Sequence, residues 1–450
     1  MAATALSTDL YELTMMAGYH AAGLMVPATF ELSVRALPPN RSFLVAAGLE
    51  QVLEYLETLR FQSEDIDYLR GLPNLQGVRP EFFDDYLPAF RFTGDVWAVP
   101  EGTPVFPPEP MLRVTAPLPE VQVAETAVMA WMTFQTSVAS RAARMVEAAS
   151  GRPVVEFGAR RAHGVEAGLL AARAAFLAGC DGTSFVDAGR RFGIPLAGTM
   201  AHSWMLAFGD EATAFGTYAG VFGDRAVLLL DTYDTLTAAK RVAASRLRPD
   251  AVRLDSGDIV SLSRAVREIL DAAGLQDTRI FATGELDEWR IAEIVAAGAP
   301  VDAFGVGTAL STSSDAPALG GVYKLVEIER AGALTGIMKF SPGKHTLPGR
   351  KQVWRVVRDG AAVKAVKDVI ALADEAGPSG GRPLLTRVMK DGRRDGPPQP
   401  IHELRAYCRA AVAELPDDLR RLADSVPYSV QFSDGLTTMI ERLSTAGRER

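Results

Sequence analysis

The sequence predicts an α/β fold: a β/α barrel or parallel sheet in the middle of the chain, with a second, mixed α/β domain assembled from the two ends. Three observations carry this. Apolar runs at 226–230, 251–254, 279–282 and 301–306 each end in polar or glycine residues, and they follow one another at the length of one strand, loop and helix. The stretches between them, such as 235–247 and 259–273, carry apolar residues at helical spacing. Before and after this rhythmic part, strand-like alternation and turn residues dominate.

In chain order, 28–34 alternates as a strand and 48–59 has the spacing of a helix. Between 90 and 119, short apolar runs are punctuated by Gly94, Pro100, Gly102, Pro104 and the pair Pro107-Pro108, which excludes a long helix and predicts a small β-rich region. Residues 120–149 contain no Gly or Pro and are rich in Ala, Val and Met, the pattern of one or two buried helices. The strand–helix rhythm starts at Pro153. Beyond about Leu334, strands are expected at 336–340, 352–357, 363–371 and 384–389, a helix at 401–415 and a charged, frayed end at 442–450. The expected domains are 1–120 together with 335–450, mixed α/β, and 121–334, the barrel.

Composition narrows the function. With 450 residues, 48% hydrophobic and 23% charged, the chain has the balance of a packed globular protein. A net charge of −8 argues against a nucleic-acid partner, whose phosphates demand clustered Lys and Arg, so any basic site is local. The two cysteines, Cys180 and Cys408, form no C-x-x-C spacing, and a reducing cytoplasm is expected. Residues 1–14 lack a basic region followed by an apolar run, and no stretch offers about 18 uninterrupted apolar residues, which predicts neither a signal peptide nor a membrane span.

Chemistry is expected where the runs end, because active sites of such folds lie at the C-terminal ends of the strands. Gly305-Val-Gly307-Thr308 puts small residues where backbone N–H groups can approach a phosphate; the plain alternative is a tight strand-to-helix turn. Thr283-Gly284-Glu285 is a second small-residue turn beside it. Asp231-Thr-Tyr-Asp234 and Asp255-Ser256-Gly257-Asp258 are carboxylate pairs suited to ribose hydroxyls, magnesium or a cationic sugar carbon, or else to capping the next helix. In Glu156-Phe-Gly-Ala-Arg160-Arg161, alternation along a strand directs one arginine to the site, where it would grip a carboxylate or phosphate. Gly198-Thr-Met-Ala-His202 places a histidine near a helix start, as acid, base, nucleophile or packed residue. Lys339 and Lys344 belong to a basic loop that either meets a phosphate or is merely solvated.

Together these segments resemble the nicotinate phosphoribosyltransferase family, from the N-terminus to about Arg355. The motifs that carry the resemblance are T-D-L-Y-E-L-T from Thr8, E-F-G-A-R-R from Glu156, G-T-M-A-H-S from Gly198, D-T-Y-D from Asp231, R-L-D-S-G-D from Arg253, G-V-G-T from Gly305 and the K-x-S-x-G-K-x-T-x-P-G loop from Lys339. The resemblance implies an irregular β/α barrel beside a domain built from both chain ends, working as a homodimer with shared active sites. It implies nicotinate, 5-phosphoribosyl 1-pyrophosphate and ATP as substrates, Mg2+ as cofactor, and phosphorylation of a histidine, here His202. Tyr11, Thr199 and Arg253 would hold nicotinate together with Arg160, Tyr11 stacking on the pyridine ring in its own subunit or its partner's. Thr308 would touch the 5-phosphate. With the residue reading, this makes His202, Asp231 and Asp255 the expected catalytic residues. Arg161, Asp234, Ser256, Gly257, Gly284, Gly305, Gly307, Thr308, Lys339 and Lys344 are expected on the phosphoribosyl pyrophosphate. No set of metal ligands is singled out.

Four alternatives make different demands. A nicotinamide enzyme needs a side-chain acceptor for the amide, and a quinolinate enzyme needs several basic groups around two carboxylates. A silent phosphate-binding homologue predicts loss of the histidine or the D-x-x-D pairs, all of which are present. A phosphosugar aldolase requires a Schiff-base lysine at a strand end, where this chain has Asp, Gly or Thr.

Overall fold

Six short parallel strands form the frame of the middle of the chain in the computed structural model, which describes residues 4–339, 346–358, 360, 363–422 and 425–448. Across the sheet their order is Gly182–Thr183, Val154–Glu156, Ala303–Val306, Arg279–Ala282, Ala251–Leu254 and Val227–Leu229. Leu228, Leu229, Val252, Leu254, Ile280, Ala282, Phe304 and Val306 are fully buried, which is why these strands read as continuous apolar runs and do not alternate. The helices between them, among them Thr235–Ala244, Ile259–Ala272 and Glu288–Ala296, start at N-cap carboxylates: Asp234 accepts from Thr237 N–H, Asp258 from Val260 N–H and Asp287 from Arg290 N–H.

No ladder joins the two edge strands among the described residues. Instead the segment 194–199 runs between them. Leu196 bridges to Thr183 on one edge, and the Thr199 hydroxyl donates to the Val227 carbonyl on the other. The sequence Gly193-Ile-Pro-Leu196 contributes only this single bridge, and the gap between the edge strands is spanned by an irregular segment. That is the expected irregular α/β architecture, with a sheet that is itself open.

By contact the chain divides into two compact units, Val138–Pro317 with Arg420–Ala423, and Met1–Ser137 with Ala318–Leu419 and Asp424–Arg450. The second unit draws on both chain ends. Its larger sheet is antiparallel, in the order Ala333–Gly336, Gly321–Arg330, Pro27–Val34, Pro110–Pro117, Asp95–Ala98, Thr386–Lys390 and Arg393–Arg394. A smaller sheet holds Gly381–Pro383, Lys351–Arg358, Lys364–Leu372 and Val430–Phe432. Of the expected frayed end at 442–450, residues 442–448 are instead helical, as part of Asp434–Arg448, in which Leu436 is fully buried in the core and Ile440 packs against it; residues 449–450 lie outside the described residues. Among the described residues no helix is long and apolar enough to cross a membrane.

This unit also buries an uneven set of charges. Arg355 donates through Nη2 to Asp368 Oδ2 (2.6 Å) and to the Pro104 carbonyl (2.8 Å), while the Tyr428 hydroxyl donates to Asp368 Oδ1 (3.1 Å). Glu109 lies beside Asp368 and accepts the Phe106 N–H at 2.9 Å. Two carboxyl groups against one guanidinium in a dry interior leave a surplus negative charge unless one is protonated. Burial, then the Asp368 charge, pushes Glu109 well above the usual carboxylate range, so Glu109 carries the proton. A raised acid pKa stabilises the fold below the unfolded value, and the contribution is lost as pH rises toward the folded one. The thermal unfolding midpoint is therefore expected to fall as pH rises above the ordinary carboxylate range in the wild type, and to fall less in Glu109→Gln, which keeps the shape without the proton. Calorimetry of both proteins across that range checks this; equal slopes would refute it.

Candidate active site

The C-terminal ends of four adjacent parallel strands surround a cavity of about 570 Å³. Arg160 and Arg161 follow Val154–Glu156, Gly307 and Thr308 follow Ala303–Val306, Thr283 and Gly284 surround the end of Arg279–Ala282, and Asp255, Ser256 and Gly257 follow Ala251–Leu254. A second cavity of about 760 Å³ opens toward Thr199 and His202. Phe157, Arg160, Arg253 and Asp255 line both, so the two are lobes of one depression with these four residues on the divide.

Arg253 is the most firmly held group. Its Nε donates to Thr283 Oγ1 (2.8 Å), Nη1 to the Met200 carbonyl (3.3 Å) and Nη2 to Asp255 Oδ1 (2.5 Å). The Thr283 hydroxyl also donates to Asp255. Burial raises the Asp255 pKa, but Thr283, Arg253 and His202 outweigh it and hold the group below the usual carboxylate range. Asp255 Oδ2 lies 3.7 Å from His202 Nε2, and His202 Nδ1 lies 3.2 Å from Thr232 Oγ1. The imidazole at the first position of the helix His202–Phe208 thus stands between a hydroxyl and an ionised carboxylate. Asp231 accepts through Oδ2 from the Asp255 N–H (3.2 Å) and from the Ser256 hydroxyl, and so shapes the neighbouring turn.

Glycine is required where backbones touch. Gly284 has φ +88°, and a Cβ there would stand 1.7 Å from the Asp255 carbonyl oxygen. A Cβ on Gly305 would meet Thr283 Cγ2 at 2.6 Å. These contacts bring the turns close together, and their glycines line the first lobe. Beneath it, fully buried Glu156 accepts the Gly158 N–H and the Thr183 hydroxyl (2.6 Å), tying the turn before Arg160 to the next strand. Burial raises the Glu156 pKa against those two donors.

Family models match most of the chain. The nicotinate phosphoribosyltransferase N-terminal domain matches residues 6–133, its C-terminal domain 378–440, and the quinolinate phosphoribosyl transferase C-terminal domain 138–316. The chain is 46% identical over 455 residues to nicotinate phosphoribosyltransferase pncB2 of Mycobacterium tuberculosis, covering 98% of this chain and 94% of that one. The chain belongs to the nicotinate phosphoribosyltransferase family. It is also 43% identical to the Bacillus subtilis nicotinate phosphoribosyltransferase, over 82% of this chain and 76% of that one. The crystal structure of human nicotinic acid phosphoribosyltransferase superposes with a TM-score of 0.84 at 28% identity, covering 97% of this chain and 99% of the human one.

Within this family member the expected site residues fall into three groups. His202, Thr199, Arg160, Arg161, Arg253, Asp255, Ser256, Gly257, Gly284, Gly305, Gly307 and Thr308 line the two lobes. Asp231 and Asp234 support them, Asp231 through the 255–256 turn and Asp234 as an exposed N-cap on Thr237. Tyr11 and Lys339 belong to the other unit: Tyr11 stands 45% exposed on the helix Leu10–Ala21, and the Lys339 N–H donates to Thr346 Oγ1 at 2.9 Å. Lys344 lies outside the described residues. Contrary to strand alternation, both Arg160 and Arg161 line the first lobe, because the strand ends at Glu156 and the arginines sit on the short turn Ala159–Arg161.

Sequence reasoning missed Thr232, Phe157 and Arg290. Thr232 sits inside D-T-Y-D and Phe157 inside E-F-G-A-R-R, so attention to the whole motif would have found both. Arg290 carries no local signal beyond its place a few residues past a strand end. Among the described residues no group of three or more His, Cys, Asp or Glu side chains is placed to hold a metal.

Proposed function

We propose that this protein transfers the phosphoribosyl group of 5-phosphoribosyl 1-pyrophosphate to nicotinate, giving nicotinate mononucleotide for NAD synthesis, and that ATP drives the reaction through a phosphohistidine at His202. The observation that carries the reading is the shared wall of Phe157, Arg160, Arg253 and Asp255 between a lobe lined by arginines and glycine turns and the His202 lobe, in a chain so similar to nicotinate phosphoribosyltransferases. Arg160 and Arg253 pair with the nicotinate carboxylate, and Phe157, with Tyr11 by family resemblance, offers an aromatic face to the ring. Thr199 completes that pocket. Gly284, Gly305, Gly307 and Thr308, with Ser256, Gly257 and Arg161, receive the phosphates. By the same resemblance Lys339 contributes a phosphate contact.

In the transfer, the pyridine nitrogen bonds to the ribose C1 as the C1–oxygen bond breaks and pyrophosphate departs with the electron pair. Asp255, ionised throughout the neutral range, stabilises the cationic sugar carbon. Asp231 and Asp234 fix the turns that aim it. His202 attacks the terminal phosphorus of ATP, breaking its bond to ADP, and water later cleaves the phosphorus–nitrogen bond. The donor set suits a hard cation held mainly by substrate oxygens: Asp231 Oδ1 is buried without a partner, and Asp255 presents a second carboxylate. A Mg2+ ion held there would supply positive charge to offset that of the departing pyrophosphate. By family resemblance the protein works as a homodimer, and two cysteines without C-x-x-C spacing fit a reducing cytoplasm.

The test is product formation from nicotinate, nicotinamide and quinolinate with phosphoribosyl pyrophosphate and Mg2+, with and without ATP, in wild type and His202→Ala. Nicotinate mononucleotide, made faster with ATP in the wild type alone, is the expected result. Turnover of another base would overturn the substrate, and ATP stimulation surviving in His202→Ala would overturn the phosphohistidine.

A further inference from the structure

The first lobe has cations at both ends, and the reading so far uses only one. Arg160 and Arg161 follow the strand Val154–Glu156, whereas Arg290 lines the lobe from the first turn of Glu288–Ala296, after the strand two places further across the sheet. Adjacent strands lie about 4.8 Å apart, so the two ends are roughly 10 Å apart or more. Glycine turns, at Gly284 and at Gly305 and Gly307, lie between them.

The partners of Arg290 are weak holds. Its Nη1 meets Glu293 at 2.5 Å and its Nη2 approaches Asp258 at 4.0 Å, and both carboxylates are 61% exposed. Such solvent-exposed pairs shift an equilibrium by about fivefold at most. Asp287, the nearest acid in sequence, already has its carboxylate on the Arg290 N–H at 2.8 Å. Asp258 is likewise engaged as an N-cap, on Val260 N–H and the Ser261 hydroxyl. The guanidinium is thus parked on surface acids at the mouth of a cavity, able to exchange them for a phosphate, which it meets in bidentate fashion.

We propose that Arg290 is a second phosphate anchor, which grips the pyrophosphate end of a substrate charged at both ends while Arg161 grips the other. The proposal rests on the transferase reading above, and it makes Glu293 a competitor that keeps the guanidinium at the lobe when no substrate is bound. A substrate bearing phosphate at one end only would engage one anchor and bind correspondingly less well.

Calorimetric titration of the full-length protein with Mg2+–pyrophosphate, joined to initial rates, tests this. Arg290→Ala should weaken pyrophosphate binding and raise the KM for phosphoribosyl pyrophosphate about ten- to a hundredfold. The KM for nicotinate should stay within about twofold of wild type, a split that general damage to the fold would not produce. Arg290→Lys, which keeps charge without the fork, should fall between, and it serves as the test if the alanine variant does not fold. Glu293→Gln should tighten pyrophosphate binding by about two- to fivefold. Unchanged pyrophosphate binding in the Arg290 variants, or equal increases in both KM values, would overturn the anchor alone. A wild type that binds neither pyrophosphate nor phosphoribosyl pyrophosphate would overturn the transferase reading and the anchor with it.

Discussion

Gly284→Ala is expected to reduce kcat/KM by at least about a hundredfold and to lower the thermal unfolding midpoint by several degrees. Two effects add. A non-glycine residue at φ +88° is strained by about 1–2 kcal/mol. The new methyl would also stand 1.7 Å from the Asp255 carbonyl oxygen, and because that atom is backbone, relief requires one turn to move against the other. The turns in question carry Asp255 and Thr283, and a displacement near 1 Å at reacting groups costs about a hundredfold in rate. Gly298→Ala is the control. That residue also has a positive φ (+62°), but nothing lies within 4 Å of its added methyl, so only the conformational cost of about 1 kcal/mol applies. Steady-state rates and calorimetry on the two variants separate the effects. A Gly284→Ala enzyme as active as Gly298→Ala would mean that the two turns need not touch.

This close approach also shows what the sequence conveys and what it withholds. The strands Ala251–Leu254 and Arg279–Ala282 stand where the apolar runs predict, because strands buried on both faces leave an uninterrupted apolar signature. Polar residues at their ends were legible for the same reason, since the end of the run marks where the chain meets the site. Contacts between turns were not legible. Thr232 at His202 Nδ1, Phe157 on the divide between lobes, and Glu109 beside Asp368 depend on pairings between segments dozens to hundreds of residues apart. Strand alternation fails for Arg160 and Arg161 because the sequence does not mark where Val154–Glu156 stops, and a short helical turn sends consecutive side chains in directions that strand alternation does not allow. The charged residues after 441 predict a frayed end, and the helix forms because Leu436, which precedes them, is buried.

Asp255→Asn should separate the roles of the two lobes. Asp255 accepts from Arg253 and Thr283 in one direction and faces His202 Nε2 at 3.7 Å in the other. Its amide would still accept one hydrogen bond, but it would withdraw the negative charge from both the sugar carbon and the imidazole. Loss of one preorganised electrostatic contact of this kind lowers kcat by about 10²–10³-fold, and here both activities depend on it. Phosphoribosyl transfer without ATP and ATP hydrolysis should therefore fall together in Asp255→Asn. In His202→Ala only the ATP-dependent part should disappear, since the transfer lobe keeps Arg160, Arg253 and Asp255. The pH dependence is a second check. A carboxylate held below its ordinary range stays ionised at the acidic edge of the neutral range, so an acid limb in the wild-type rate there would have to come from another group, and Asp255→Asn should leave its midpoint in place. Single-turnover measurements of each half-reaction in the two variants give the comparison. A variant at Asp255 that lost ATP hydrolysis while keeping full transfer would confine the carboxylate to the histidine lobe and leave the sugar carbon to be stabilised by another group.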